Sequence, residues 1–194
     1  IDYARMHRVL AHFRQHASLP PDYVTREHMR SQYGCTVPED QLRKWRERFH
    51  SLPDVAVAGG RASDVSLLLV DGFLLYYSAQ VRSTLDIPLF LRIGKQAMRE
   101  RREKRDNYVI EDGTVWEDPP FYFDEILWPA YLEAHRGMFT GGDVEHGAPA
   151  AGSSDRDGGP VPHLVLLDGE KRRPEQLVDD ACEAIYGFLQ GRPA

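Results

Sequence analysis

The sequence is short of several features that mark common classes of protein. It has only two cysteines, Cys35 and Cys182, in no CxxC or Cys/His spacing, which favours reduced, mostly buried thiols in an intracellular protein. No apolar run approaches the ~18 residues of a membrane span. The net charge of -6 gives no general attraction to nucleic acid or to an anionic membrane.

Three catalytic signatures are also missing from these residues. There is no HExxH for a zinc hydrolase and no G-x-S-x-G for a hydrolase with a nucleophile elbow. The phosphate-loop motif G-x-x-x-x-G-K-[ST] does not occur either. Any acid of the Walker-B type in this sequence therefore has no phosphate loop beside it.

What the sequence does contain is strand-length apolar runs separated by helical patterns. The runs are Val65–Val70, Ile87–Ile93 and His163–Leu167. Their alternation with helices predicts one α/β domain with a parallel sheet. Thr36 to Glu39 resembles a capping box, and Pro129 predicts a kinked or divided helix. The helical patterns cover Ile1–Ala17, Glu39–Leu52, Lys95–Arg105, Phe123–Met138 and Pro174–Gln190.

Two segments are predicted to be irregular. Residues 106–122 form a long loop rich in aromatic residues, proline and acids, which is typical of a lid. Residues 140–161 are dominated by glycine, alanine, serine and aspartate, and this composition predicts a disordered insertion.

Asp71 is the first candidate for a functional residue. It follows the run Val65–Val70 directly in "LLLVDG", where nucleotide-binding α/β proteins place a carboxylate close to Mg²⁺. A strand that simply enters an Asp-Gly turn has the same pattern. "LLDGEK", Leu166 to Lys171, repeats it and favours the turn, so at most one of the two serves a metal.

The basic stretch from Arg99 to Asp106 is the second candidate. Its five cations stand against three acids, which leaves +2, too little for a surface that follows a nucleic-acid backbone. Arg101 and Arg105 are four residues apart and share a helix face, with Arg102 beside them. Two interpretations stay open at this point: a solvated helix end, or a cluster that binds a phosphoryl group in transfer.

Four stretches occur in a fixed order: "LLLVDGFLLYY", "IPLFLRIGKQAMRERREKRDNYV", "DPPFYFDEILWPAYLEAHRGMF" and "VLLDGEK". Together they resemble the nicotinamide riboside kinases, which belong to the uridine-kinase-like P-loop kinases. The resemblance covers about Leu67 to Gln190, and the first helix also resembles the family. It implies a three-layer P-loop-kinase-like fold over residues 1–194, a parallel sheet with helices on both faces. The family's first strands and phosphate loop have no counterpart here, so an incomplete, N-terminally truncated domain is expected.

The resemblance implies ATP-dependent phosphorylation of the 5′-hydroxyl of nicotinamide riboside, with ATP and Mg²⁺ as cofactors. Asp71 matches the carboxylate near Mg²⁺, bound directly or through water. Arg101 and Arg105 match lid arginines that approach the ATP phosphates. Arg102 matches the arginine that reaches the ribose hydroxyls, and Tyr108 matches the tyrosine that stacks on the pyridine ring.

The resemblance also implies a packing role for the segment after the lid, namely Tyr122, Phe123, Asp124 and Trp128. The nucleoside and ATP are the only partners expected, with no nucleic acid and no membrane. The expected location is the cytoplasm and also the nucleus. The 194 residues alone are expected to be inactive or nearly so, because the phosphate loop and the base would lie upstream of Ile1. A related kinase acting on a nucleoside such as uridine, or a non-catalytic kinase remnant that binds a partner, stays an alternative.

Overall fold

A computed structural model describes residues 1–24, 37–52, 66–104 and 118–191, together with the backbone of 108–109 and 115–116. Its α-helices are α1 (Tyr3–His16), α2 (Glu39–His50), α3 (Ala79–Arg82), α4 (Lys95–Glu103), α5 (Trp128–His135) and α6 (Pro174–Leu189). Its strands are β1 (Leu89–Arg92), β2 (Tyr108–Val109), β3 (Val115–Trp116) and β4 (Val165–Asp168). A π-helical turn (Phe123–Leu127) precedes α5, and 3₁₀ turns span Arg136–Met138 and Thr140–Gly142.

The centre of the fold is a parallel pair of strands. Strand β1 lies beside β4, with Leu89 opposite Val165 and Arg92 opposite Asp168. Because side chains alternate along a strand, Phe90 and Leu166 share one face of the pair. The α/β class and the parallel pairing of two predicted strands are thereby confirmed.

The core lies against the face of the sheet that carries Phe90. The Phe90 ring meets Phe139 and His135 edge-on, at centroid distances of 5.5 and 5.4 Å. Burying a large apolar side chain of this kind contributes about 1.5–3 kcal/mol. Strand β1 is therefore fixed from one side by the chain that follows α5. The buried cluster consists of Leu75, Tyr76, Phe90, Met138, Phe139, Val144, Val161 and Leu164.

The prediction of a buried strand at Val65–Val70 is wrong for its described part, residues 66–70, which have no regular structure. The side chains of Leu67 and Leu69 are 62% and 87% exposed, and Val70 alone of this run packs against the core cluster. A strand persists only where its N–H and C=O groups pair with a neighbour. Within the ranges that the structure describes, β1 and β4 pair with each other and no strand lies beside 66–70.

The prediction of a disordered insertion at 140–161 is also wrong. Val144 and Val161 are 2% and 4% exposed, within the core. The buried Arg82 guanidinium donates to the carbonyls of Ser154 and Arg156, at 2.9 and 2.6 Å, and to two more carbonyls in the chain just before α3. The glycines supply turns with positive φ, as at Gly158 (φ 68°), whose N–H donates to the carbonyl of Tyr77. Glycine-rich composition here encodes tight turns.

Several helix boundaries have clear local causes. Helix α1 begins at Tyr3, two residues later than the pattern predicts, because the Asp2 side chain accepts a hydrogen bond from the N–H of Arg5. Pro129 lies where the π-helical turn gives way to α5, which confirms the predicted division. Helix α2 has Pro38 as its N-cap, without a side-chain cap, and Thr36 of the predicted capping box lies outside the described residues.

Helix α2 docks on α6 through polar and stacked contacts. The Trp45 indole N–H donates to Asp179 at 2.5 Å, and the Arg48 guanidinium binds both carboxylate oxygens of Glu183. The same guanidinium lies 4.4 Å from the ring centroids of Trp45 and Tyr186. Cys182, on the same helix, is a half-buried free thiol whose pKa is raised by burial. No helix among the described residues is both long and apolar enough to cross a membrane.

Candidate functional site

Helix α4 carries the candidate site, and its amino end is already occupied by the chain itself. The N–H groups of Gly94 and Lys95 donate to the carboxylates of Glu170 and Glu145, at 3.2 and 3.0 Å. Carboxylates are favourable at a helix N-terminus because the backbone dipole is positive there. These two donors are therefore engaged by side chains of the protein itself.

Arg101, near the carboxyl end of α4, reaches the turn that follows β4. Its guanidinium Nη2 donates to the Gly169 carbonyl at 2.7 Å. In that turn the Asp168 Oδ1 accepts from the N–H groups of Glu170 and Lys171, at 3.0 and 2.8 Å. The N–H of Lys171 is the largest cause of the lowered pKa of Asp168. The "LLDGEK" acid thus makes a turn, as the sequence favours.

Arg102, the next residue, binds the last part of the predicted lid, residues 118–122. Its Nη2 lies 2.9 Å from Asp118 Oδ1, and its Nε donates to Asp118 Oδ2. The guanidinium also lies 5.9 Å from the ring centroid of Tyr122. The Arg102 and Asp118 side chains are 26% and 29% exposed. This bidentate pair joins the chain before residues 103–117 to the chain after them.

Two further cations of α4 contact the residues that directly follow the predicted lid. The Lys95 ammonium lies 2.9 Å from Asp124 Oδ1, and Arg99 forms an ion pair with the same oxygen. The Lys95 hydrogen bond is the largest cause of the lowered pKa of Asp124, and the Arg99 charge acts in the same direction. Arg99 also lies 5.1 Å from the Phe123 ring centroid. Asp124 and Phe123 therefore pack the post-lid segment against α4.

Sequence reasoning missed the roles of Lys95, Arg99 and Asp118. Lys95, Arg99 and Arg102 stand at i, i+4 and i+7, a spacing that places three cations on one face of α4. That spacing was visible in the sequence as a sign of a charged interface. Which acids meet this face was not visible, because Asp118 lies near the end of the predicted loop and Asp124 follows it.

The other predicted site residues are placed less completely. Arg105 lies outside the described residues, and only the backbone of Tyr108 is described, paired with Trp116 in an antiparallel hairpin. Asp71 is exposed and follows an irregular segment, and no hydrogen bond or ion pair among the described residues joins it to α4. The structure therefore brings Arg101 and Arg102 to one helix end, without Asp71.

The donor set suits magnesium only in part. The part of the chain that the structure describes has no group of three or more His, Cys, Asp or Glu side chains able to hold a metal. Mg²⁺ prefers oxygen ligands and often uses one or two carboxylates with water and substrate phosphates. Asp71, which is exposed, could supply one such carboxylate.

Comparison with known proteins gives the relationship. No family model matches the chain, and no solved structure matches it significantly. The nicotinamide riboside kinase of Schizosaccharomyces pombe is 30% identical over 135 residues, 70% of this chain and 54% of that protein. That of Eremothecium gossypii is 31% identical over 145 residues, 75% of this chain and 56% of its own length. Human nicotinamide riboside kinase 2 is 31% identical over 131 residues, 68% of this chain and 45% of its own length.

The chain spans about half the length of the curated relatives that it matches. Within that span the aligned part is most of this chain, and the matched relatives all carry the same family name. The chain is therefore a homologue of the nicotinamide riboside kinases.

Proposed function

We propose that this protein transfers a phosphoryl group from ATP to the 5′-hydroxyl of nicotinamide riboside and so forms nicotinamide mononucleotide. The observation that carries the proposal is the sequence identity of 30–31%, over most of the chain, to proteins named nicotinamide riboside kinase. The arrangement of cations on α4 supports it, because phosphoryl transfer depends mainly on positioning and on stabilising negative charge.

Arg101 is suited to an ATP phosphate. Its described partner, the Gly169 carbonyl, is a neutral acceptor, so that contact leaves the guanidinium charge uncancelled. A phosphate oxygen that replaced the carbonyl would accept a charge-assisted hydrogen bond, which is roughly twice as strong as a neutral one. We assign Arg105, four residues further along the sequence, to the same phosphates. Residues 106–122 would close over them as a lid.

Arg102 is suited to the sugar. Its charge is balanced by Asp118, and an arginine–carboxylate pair offers both donors and acceptors, which is what a neutral diol requires. Tyr108 is assigned to the pyridine ring, where a cationic nicotinamide gains a cation–π contribution. Asp71 would hold Mg²⁺ directly or through water. When bound, the ion would neutralise charge on the ATP phosphates.

The test is a phosphorylation assay with MgATP and nicotinamide riboside. It is run on the 194-residue chain and on the longest reading frame that contains it. We expect turnover from the longer protein and little or none from the 194 residues. No turnover from the longer protein would refute the proposal, and a preference for uridine over the riboside would refute its substrate.

The role of Arg101 is tested in the longer protein with a matched control. We expect Arg101→Ala to lower kcat/KM about 100-fold, as the loss of a charge-stabilising donor commonly does. Lys104→Ala removes one exposed positive charge from the same helix end and should change kcat/KM little. Equal effects of the two substitutions would contradict a specific phosphate contact.

A further inference from the structure

Two histidines lie together at the carboxyl end of α1, far along the chain from the site on α4. His12 and His16 are four residues apart, so their side chains project from the same face of the helix. Their ring centroids are 4.4 Å apart and the ring planes are inclined by 43°. His16 is exposed and is the last residue of α1, while His12 is half-buried.

We propose that His12 and His16 bind a divalent transition-metal ion of the class that prefers imidazole nitrogen, such as Zn²⁺, Ni²⁺ or Cu²⁺. Zinc–nitrogen bonds are about 2.0–2.1 Å long, so two imidazoles on one tetrahedral ion place their nitrogens roughly 3.3 Å apart. Rings with centroids at 4.4 Å reach that separation by rotation about χ2, which is a soft torsion in histidine. Water would fill the remaining coordination positions.

The surroundings of the pair favour a cation. The last carbonyl groups of a helix carry partial negative charge, and both rings stand in the last two turns of α1. Arg8, one turn before His12, is paired with Asp22 at 3.0 Å, which offsets its repulsion of a metal ion. Arg14, between the two histidines, points elsewhere: it donates to the Thr84 carbonyl and to Asp86, at 3.0 and 2.6 Å.

This binding site differs in chemistry from any magnesium site of a kinase. Imidazole pairs select transition metals, whereas Mg²⁺ prefers oxygen ligands and keeps much of its water. A metal on His12 and His16 would close one turn of α1 as a chelate. It would thereby stiffen the turn that Arg14 anchors to residues 84–86. The proposal does not depend on the reaction that the protein catalyses.

The experiment is a titration of the untagged 194-residue chain with Zn²⁺ and Ni²⁺. Calorimetry measures the affinity and the number of ions bound, and the thermal unfolding midpoint measures the stabilisation. We expect one equivalent to bind and to raise the midpoint, and Mg²⁺ at the same concentration to have no such effect. His12→Asn and His16→Asn should each weaken binding by about tenfold or more, because a single imidazole loses the chelate. His7→Asn, on the same helix, should leave the affinity unchanged.

Two results would overturn the proposal. One is an affinity that is unchanged in both His12→Asn and His16→Asn. The other is a loss of binding in His146→Asn instead, which would place the ion beside Asp143, 3.6 Å from His146. Far-UV circular dichroism checks that α1 survives each substitution. If either variant unfolds, the NMR spectrum of the wild-type protein with substoichiometric Cu²⁺ tests the site instead. We expect selective broadening of the His12 and His16 ring signals, and uniform broadening of all histidine signals would refute the site.

Discussion

Replacing Arg82 with methionine tests what holds the glycine-rich segment in place. Arg82 is 7% exposed, and its guanidinium donates to four backbone carbonyls, those of Tyr76, Tyr77, Ser154 and Arg156, at 2.6–2.9 Å. Methionine fills a similar length of space but donates nothing. Burial lowers the pKa of Arg82, and the nearby Asp157 acts in the opposite direction.

The expected loss follows from these four bonds. Each hydrogen bond to a charged group contributes about 1.5–3 kcal/mol, whereas the buried cation costs several kcal/mol in lost hydration. Water can also reach some of the carbonyls once the side chain is gone. The net destabilisation of Arg82→Met is therefore about 3–5 kcal/mol. For a chain of this size, that is a fall of roughly 10 °C in the unfolding midpoint.

Urea unfolding followed by circular dichroism measures the free energy, and limited proteolysis reports on the segment itself. We expect new cleavage between residues 145 and 160 in Arg82→Met. Arg156→Met is the matched control, because it makes the same substitution in the same segment at an exposed side chain, and should cost less than about 0.5 kcal/mol. The reasoning would be refuted if the two variants unfolded at the same urea concentration.

Two further predictions concern a strained backbone and a buried imidazole. Phe121 has φ 66° and is 73% exposed, so Phe121→Gly should relieve left-handed strain and raise the free energy of unfolding by about 0.5–1 kcal/mol; a loss of stability would contradict this. His135 is 4% exposed, its Nδ1 donates to the Tyr131 carbonyl at 2.8 Å, and burial lowers its pKa. Because the unfolded chain then binds the proton more readily, this contribution to the free energy of unfolding should be fully present above about pH 6.5. It should be lost as the pH decreases through the folded-state pKa of His135. Urea unfolding midpoints at pH 7.5 and 5.5 measure this loss. The difference between the two midpoints should be smaller in His135→Gln than in the wild type, and an equal difference would assign the pH dependence to other groups.

The elements that the sequence predicted correctly are those whose signal is local. Strands β1 and β4 coincide with short apolar runs, and α6 begins at the proline that the pattern places in its first turn. The failure at residues 66–70 has a non-local cause: an apolar run becomes a strand only beside a pairing partner. The failure at 140–161 arose because glycine marks both disorder and tight turns, and Arg82, the residue that decides between them, lies about 70 positions earlier.

The candidate site, too, was predictable only where its signal is local. Charge spacing on α4 was enough to predict that Arg101 and Arg102 stand at one helix end. It could not show that Arg102 meets Asp118 or that Arg99 meets Asp124, because the first acid lies near the end of the predicted loop and the second lies beyond it. The net charge of +2 over residues 99–106 counts only the acids within that stretch. It therefore leaves out Asp118 and Asp124, which neutralise two of its arginines.

The capping of α4 by two distant glutamates bears on the order in which the chain becomes structured during synthesis. Glu145 follows Lys95 by 50 residues and Glu170 follows Gly94 by 76, so neither carboxylate exists when α4 leaves the ribosome. A helix of nine residues is below the ~12–15 residues that are marginally stable alone in water. Helix α4 therefore gains both of these N-terminal partners only after β4 and its turn have been made. Arg99 and Arg102 can meet Asp124 and Asp118 earlier, whereas Arg101, whose partner is the Gly169 carbonyl, would take up a fixed position last of the three.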